Sequence, residues 1–371
     1  MTEVLLQQLS NSDISWMTAN GRQQRIAAGS VLIQQQSSLD TFYLILEGTL
    51  SASISRNQES TLASVFAALE DDNDLEQEIA RFSSGEVLGE ISFLNFSPST
   101  TTVKAVENSV VLALPSQHLL TALRQDLEFA TRFYRALAIL LLDRFERLVS
   151  KFTRRQNIKI PPLQDVPLLF GELSDSDIDW MIEHSHVETL PADSVLIRAG
   201  RAVEYLYVLL HGKVSVFFSG NTQNSLSRVF TLLEDNGQSD SSLAQEIASV
   251  SSGEIIGETA LIDARLPAYT FKAVENSQVL AVKKQQIAIK LQQNPAMGSR
   301  LYRVIAMLLA ARLQGLISRL GYGRSPYQVG RRLSQDVKYE DEIDLNMMDN
   351  LFLGGTRFDW MLKRLKVTSD Q

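Results

Sequence analysis

The sequence predicts a mainly β protein with helices: two tandem β jelly-roll (double-stranded β-helix) barrels, each flanked by helices, plus a short C-terminal extension. Three observations predict it. The chain repeats itself, each repeat holds many short β-rich runs bounded by glycine, and each repeat closes on a long amphipathic helix.

The repeat sets the domains. LSNSDISWM at 9–17 returns as LSDSDIDWM at 173–181, an offset of 164 residues. Past an acidic segment the offset is 168: SSGEVLGE at 83–90 matches SSGEIIGE at 251–258, and KAVENS at 104–109 recurs at 272–277. We read domain 1 as 1–155, a linker at 156–163 stiffened by Pro161-Pro162, domain 2 as 164–321 and an extension at 322–371.

Within a copy the elements follow in order. Ser10 or Asn11 can cap a first helix carrying Ile14 and Met17, and Ser174 or Asp175 can cap its counterpart with Ile178 and Met181. Strands are predicted at 30–35, 42–48, 49–55, 101–106 and 109–115, and in the second copy at 194–199, 205–212, 213–219, 269–274 and 277–282. The closing helices carry a two-heptad seam: Ala138, Leu141, Phe145, Leu148 and Phe152, then Ala306, Leu309, Leu313, Leu316 and Leu320. Such a seam packs on its own barrel, or it forms a helix–helix contact between copies or between chains. We expect self-association or copy-to-copy packing through it.

Composition excludes several chemistries. The 371 residues contain no cysteine, so thiolate catalysis, disulfides and Cys-ligated zinc are ruled out. His184 and His186 have no third ligand nearby and read as surface or strand residues. No P-loop, G-x-S-x-G or H-E-x-x-H is present, which points to a protein that is not an enzyme. A net charge of −8 gives nucleic acid no global attraction, so DNA is disfavoured. The start lacks a signal-peptide pattern, and the most apolar stretch, 136–142, is too short to span a bilayer. A soluble, cytoplasmic protein is expected.

The order of the motifs is specific: a glycine turn after Y-x-x-L-x-G, a Gly-Glu pair before an apolar turn, a T-x-K-A strand, then a long helix. This order resembles the cyclic-nucleotide-binding domain family of Crp-like and protein kinase A regulatory-subunit-like domains, here in tandem. The resemblance implies a phosphate-binding cassette from Gly-Glu to a P-R-A-A-T-V-x-A segment. There the glutamate takes the ribose and the arginine the cyclic phosphate, helped by N–H groups of the turn. It places the ligand-binding residues of this chain at Gly89, Glu90, Ile91, Ser92, Ser99 and Thr100, and at Gly257, Glu258, Thr259, Ala260, Arg265 and Ala268. Both segments run 17 residues from Gly to Ala, so the arginine slot holds Ser99 in copy one and Pro267 in copy two. Neither neutralises a phosphate. Arg265, two residues before the slot, is the candidate replacement. Lys104 and Lys272 lie on a strand leading away from the pocket. Glu90 and Glu258 can alternatively cap the turn or pair with a strand lysine.

Each copy inserts an acidic segment, at 66–81 and 230–248, read as a solvated, partly helical loop or as a docking surface for a basic partner. The tail, 324–371, balances eight basic against eight acidic residues and lacks a basic recognition helix. Its last stretch, 357–367, is amphipathic, with Phe358, Met361, Leu362 and Leu365 on one side. It folds back on the second domain or forms a partner helix. We expect it to carry partner binding rather than fold stability. The sequence thus leads to a non-catalytic regulatory protein. It would respond to a small ligand such as cyclic AMP or cyclic GMP and signal through helices to a protein partner. The alternative is a structural adaptor whose barrels no longer bind nucleotide.

Overall fold

A computed structural model of the chain describes residues 4–55, 76–153, 167–218, 245–317 and 345–367. The linker at 156–163 and most of both acidic segments lie outside the described residues.

Copy one opens with α1 (Val4–Gln8) and α2 (Asn11–Asn20). Ser10 is the cap of α2: its hydroxyl accepts from the Asp13 N–H, and the Asp13 carboxylate accepts from the Ser10 N–H at 2.8 Å. Two four-stranded antiparallel sheets follow. One has the order β1 (Arg22–Ile26), β8 (Ser109–Pro115), β3 (Thr41–Glu47), β6 (Val87–Leu88). The other runs β2 (Val31–Ile33), β7 (Thr102–Ala105), β4 (Thr49–Ser55), β5 (Glu76–Ser83). The turn helix α3 (Glu90–Asn95) sits between β6 and β7, and α4 (Ser116–Gln125) and the 27-residue α5 (Leu127–Thr153) close the copy.

Copy two repeats the plan. It has α6 (Pro167–Glu172) and α7 (Asp175–Glu183), the sheet β9 (Ser185–Leu190), β16 (Ser277–Lys283), β11 (Tyr205–His211), β14 (Ile255–Ile256), and the sheet β10 (Val195–Ile197), β15 (Tyr269–Ala273), β12 (Val214–Phe218), β13 (Gln245–Val250). The turn helix is α8 (Thr259–Ile262), and α9 (Lys284–Gln293) and α10 (Pro295–Ile317) end the copy. A further helix, α11 (Leu345–Arg364), comes last.

The chain forms two compact units: Met1–Leu141 with Leu309–Asp344, and Leu142–Leu308 with Leu345–Gln371. The α5 residues from Leu142 onward therefore belong to the second unit. In the first, Phe42, Phe93 and Phe133 meet at centroid distances of 5.5–5.9 Å, and Phe42 and Phe133 are fully buried. In the second, Leu173, Val208, Leu209, Ile256, Val279 and Ile305 are buried between sheet and helix.

Two expectations change and a third is narrowed. The ends of the acidic segments are strands rather than loop: β5 and β13 pair with β4 and β12, because the repeated QEIA run places Ile79 and Ile247 in the core. The last helix of the tail is part of the second core. Helix α11 packs on α6 and α7 with Phe358 and Met361 buried, Phe358 against Phe170 at 5.3 Å. Arg357 donates to the Phe170 and Leu173 carbonyls, at and just past the end of α6, and to Asp175. Finally, the seam residues Ala138, Leu141, Phe145, Leu148, Ala306, Leu309, Leu313 and Leu316 are all buried within the single chain. Among the described residues no helix is long and apolar enough to cross a membrane, and no His, Asp and Glu cluster could hold a metal.

Candidate functional site

The cassette starts where a short strand turns into a short helix. That turn needs glycine: Gly89 has φ 82° and Gly257 has φ 88°. A Cβ on Gly89 would lie 2.9 Å from the Thr41 carbonyl oxygen, and one on Gly257 2.9 Å from that of Tyr205. The next residues, Glu90 and Glu258, are only 5% and 2% exposed. Ser92 and Ala260 are buried too, while Ile91 and Thr259 are half-buried.

The far end of the cassette is cast in the same mould in both copies. The Gln36 N–H donates to the Ser99 carbonyl at 2.7 Å, and the Gly200 N–H to that of Pro267 at 2.8 Å. One strand further, the Gln35 N–H donates to Thr102 Oγ1 and the Ala199 N–H to Thr270 Oγ1, each at 3.1 Å. The Ser99 hydroxyl turns back to donate to the Thr101 carbonyl at 2.8 Å. Thr100 and Ala268 are half-buried beside the slot. The slot thus keeps the backbone geometry without a cationic side chain. Lys104 is exposed on β7, and Lys272 pairs with Asp193 at 2.7 Å.

Arg265 is engaged elsewhere. Its guanidinium lies 2.6 Å from Asp143 and 3.5 Å from Glu146, both on α5, and also pairs with Asp263. Burial pushes the Glu146 carboxyl above its usual range; Arg265 opposes this, and Asp143 and Asp263 add to it. Beside this cluster Tyr269 packs between Phe218 and Phe145, at 5.6 and 6.2 Å. Sequence reasoning missed Asp143, Glu146 and Tyr269 as neighbours of the cassette. The signal was available in the repeat: residues 168 before or after them are Ala311, Gln314 and Thr101, so each is a departure from the other copy. His184 and His186 are separated by their neighbours: His184 stacks on Trp180 at 4.5 Å and His186 meets Tyr205.

The model of the family described as cyclic nucleotide-binding domain matches residues 23–126 and again 187–294, more than half of the chain. The chain belongs to this family, with two tandem copies. It is 26% identical over 122 residues to the cAMP-activated global transcriptional regulator CRP of Pasteurella multocida, a match over 33% of this chain and 49% of that protein. The chain thus spans about half the length of that curated relative. Among solved structures it is similar to the regulatory domain of Toxoplasma gondii PKA with cAMP, at 16% identity and a TM-score of 0.27, over 79% of this chain and 89% of that one. It is also similar to the regulatory subunit of a cAMP-independent protein kinase A from Trypanosoma cruzi bound to guanosine, at 14% identity and a TM-score of 0.26, over 80% and 85%. A cyclic nucleotide-binding domain from Methylobacillus flagellatus matches at 16% identity and a TM-score of 0.35, over 42% and 84%.

Proposed function

We propose that this is a non-catalytic regulatory protein whose barrels respond to a small ligand of the cyclic-nucleotide type, cyclic AMP or cyclic GMP, and signal through helices to a partner protein. The observation that carries this reading is the buried glutamate after a glycine of positive φ, kept in both copies at the head of the cassette. In the family resemblance the glutamate at this position takes the ribose hydroxyl. Partner contact is assigned to the acidic segments and to the outer face of α11, where Phe352 is 81% and Trp360 41% exposed.

Ser99 and Pro267 favour a second reading, a structural adaptor that has lost nucleotide. Without a cation in the slot, a cyclic phosphate loses a pair worth about 2–5 kcal/mol. Calorimetric titration with cyclic AMP, cyclic GMP and their parent nucleosides decides between the two. We expect cyclic AMP to bind more weakly than ~10 µM, and Ser99→Arg to tighten it at least ~30-fold. No binding by any probe, with or without Ser99→Arg, leaves the adaptor reading. A submicromolar constant in the unaltered chain means that another group has taken over the arginine's role.

A further inference from the structure

We propose that the second cassette has become a receptor for the chain's own helix α5, with Arg265 as the clamp and Tyr269 as the seat. Four observations converge on it, and the contacts among them lie inside the second compact unit. Arg265 stands two residues before the slot position Pro267, and Tyr269 two residues after it. Both engage one turn of one helix: Arg265 reaches Asp143 at 2.6 Å and Glu146 at 3.5 Å, and Tyr269 meets Phe145 at a centroid distance of 6.2 Å. The helix side of the contact is sheltered, while the Arg265 side chain is 47% exposed. The Asp143 side chain is 9% exposed in its pair with Arg265, and Phe145 and Tyr269 are 6% and 8% exposed. A carboxylate so buried is held only because a cation faces it.

The fourth observation is the divergence of the repeat. At the same offset, copy one has Ser97 and Thr101 where copy two has Arg265 and Tyr269, and α10 has Ala311, Leu313 and Gln314 where α5 has Asp143, Phe145 and Glu146. Clamp and clamped group occur together in one unit, and both are missing from the corresponding positions of the other copy. A chance surface ion pair has no reason to change on both sides at once. The arginine two residues from the slot is therefore committed to a peptide carboxylate. An aromatic ring from α5 lies against the strand at which a nucleotide would be held. This assigns ligand responsiveness, in the reading above, to copy one, and makes copy two an anchor for α5.

Amide hydrogen exchange on the full chain tests the clamp without any ligand, so its outcome is independent of whether nucleotide binds. Arg265→Glu is expected to speed exchange in residues 142–153 by about tenfold or more relative to residues 127–141. Combining it with Asp143→Arg, which restores an opposite pair, should bring the rates back to within about threefold of the unaltered chain. Should Arg265→Glu unfold the whole chain, the milder Arg265→Ala is read against the same two segments. Unchanged exchange in 142–153 with Arg265→Ala, or no recovery in the reversed pair, overturns the proposal. So does a stoichiometry of two cyclic AMP per unaltered chain.

Discussion

Two arginine–aspartate pairs tie the second helix of each copy, α2 and α7, to its long helix, and they make predictions at the scale of residues. Arg132 donates to Asp13 at 2.7 Å, and Arg300 to Asp177 at 2.8 Å. In both, the aspartate is also the third residue of a capping box. Burial alone would raise the Asp13 carboxyl. Arg132 and the Ser10 N–H and hydroxyl outweigh it and hold the group below the usual 3.8. A depressed carboxylate stabilises the fold above 3.8 and loses that contribution only as pH falls through the lowered value. Arg132→Ala is thus expected to cost about 2 kcal/mol in urea unfolding at pH 7 and to move acid unfolding to higher pH. A flat response would make the pair a surface ornament. Glu146 titrates with the opposite sign. Burial first, then Asp143 and Asp263, raise it above 4.5 despite Arg265. Its charged form therefore costs stability as pH rises through the raised value. Glu146→Gln should stabilise the chain at pH 7, and the gain should vanish below pH 4.5. Loss of stability at pH 7 would instead make Glu146 a principal partner of Arg265.

At the scale of elements, α11 decides whether the tail is a domain component or an appendage. Phe358 and Met361 are 8% and 1% exposed, Arg357 satisfies carbonyls at the end of α6, and Arg364 pairs with Asp179. Burying two large apolar side chains contributes about 4 kcal/mol, before the arginine bonds are added. Deleting residues 345–371 should lower the melting temperature by roughly 10 °C in calorimetry. An unchanged melting temperature would return the tail to a purely partner-binding role. The amphipathic stripe of this helix was visible in the sequence; its partner was not. Nothing in residues 357–367 names α6 and α7 as the surface that covers Phe358. Strands show the same divide. The near-continuous apolar runs at 42–48 and 109–115 announce themselves, whereas β1, RQQRI, has only Ile26 as an apolar residue. It is a strand only because β8 pairs with it residue for residue, from Arg22 opposite Ala113 to Ile26 opposite Ser109.

At the scale of the whole molecule the seams set the expectation for assembly. Leu141 and Leu309 are 0% and 1% exposed in the single chain, so neither needs a second chain to cover it. Placing Glu at both positions is expected to abolish most of the folded strand signal in circular dichroism, since two unpaired charges would enter the core. Retained strand signal with a smaller particle in light scattering would show that the seam joins separate chains. The sequence by itself determined the duplication, the barrel class and the Gly-Glu turns. Each of these is written in local spacing: short apolar runs, glycines where φ must be positive, and a near-constant offset between copies. Only the tertiary structure decided where Arg265 points, what Phe145 packs on and what shelters the tail. Those answers depend on which side chains meet across gaps of more than a hundred residues, and local periodicity carries no record of such meetings. Arg265 is the plainest case. Read along the chain it neighbours an empty phosphate slot; in the fold, Asp143 has already taken its charge.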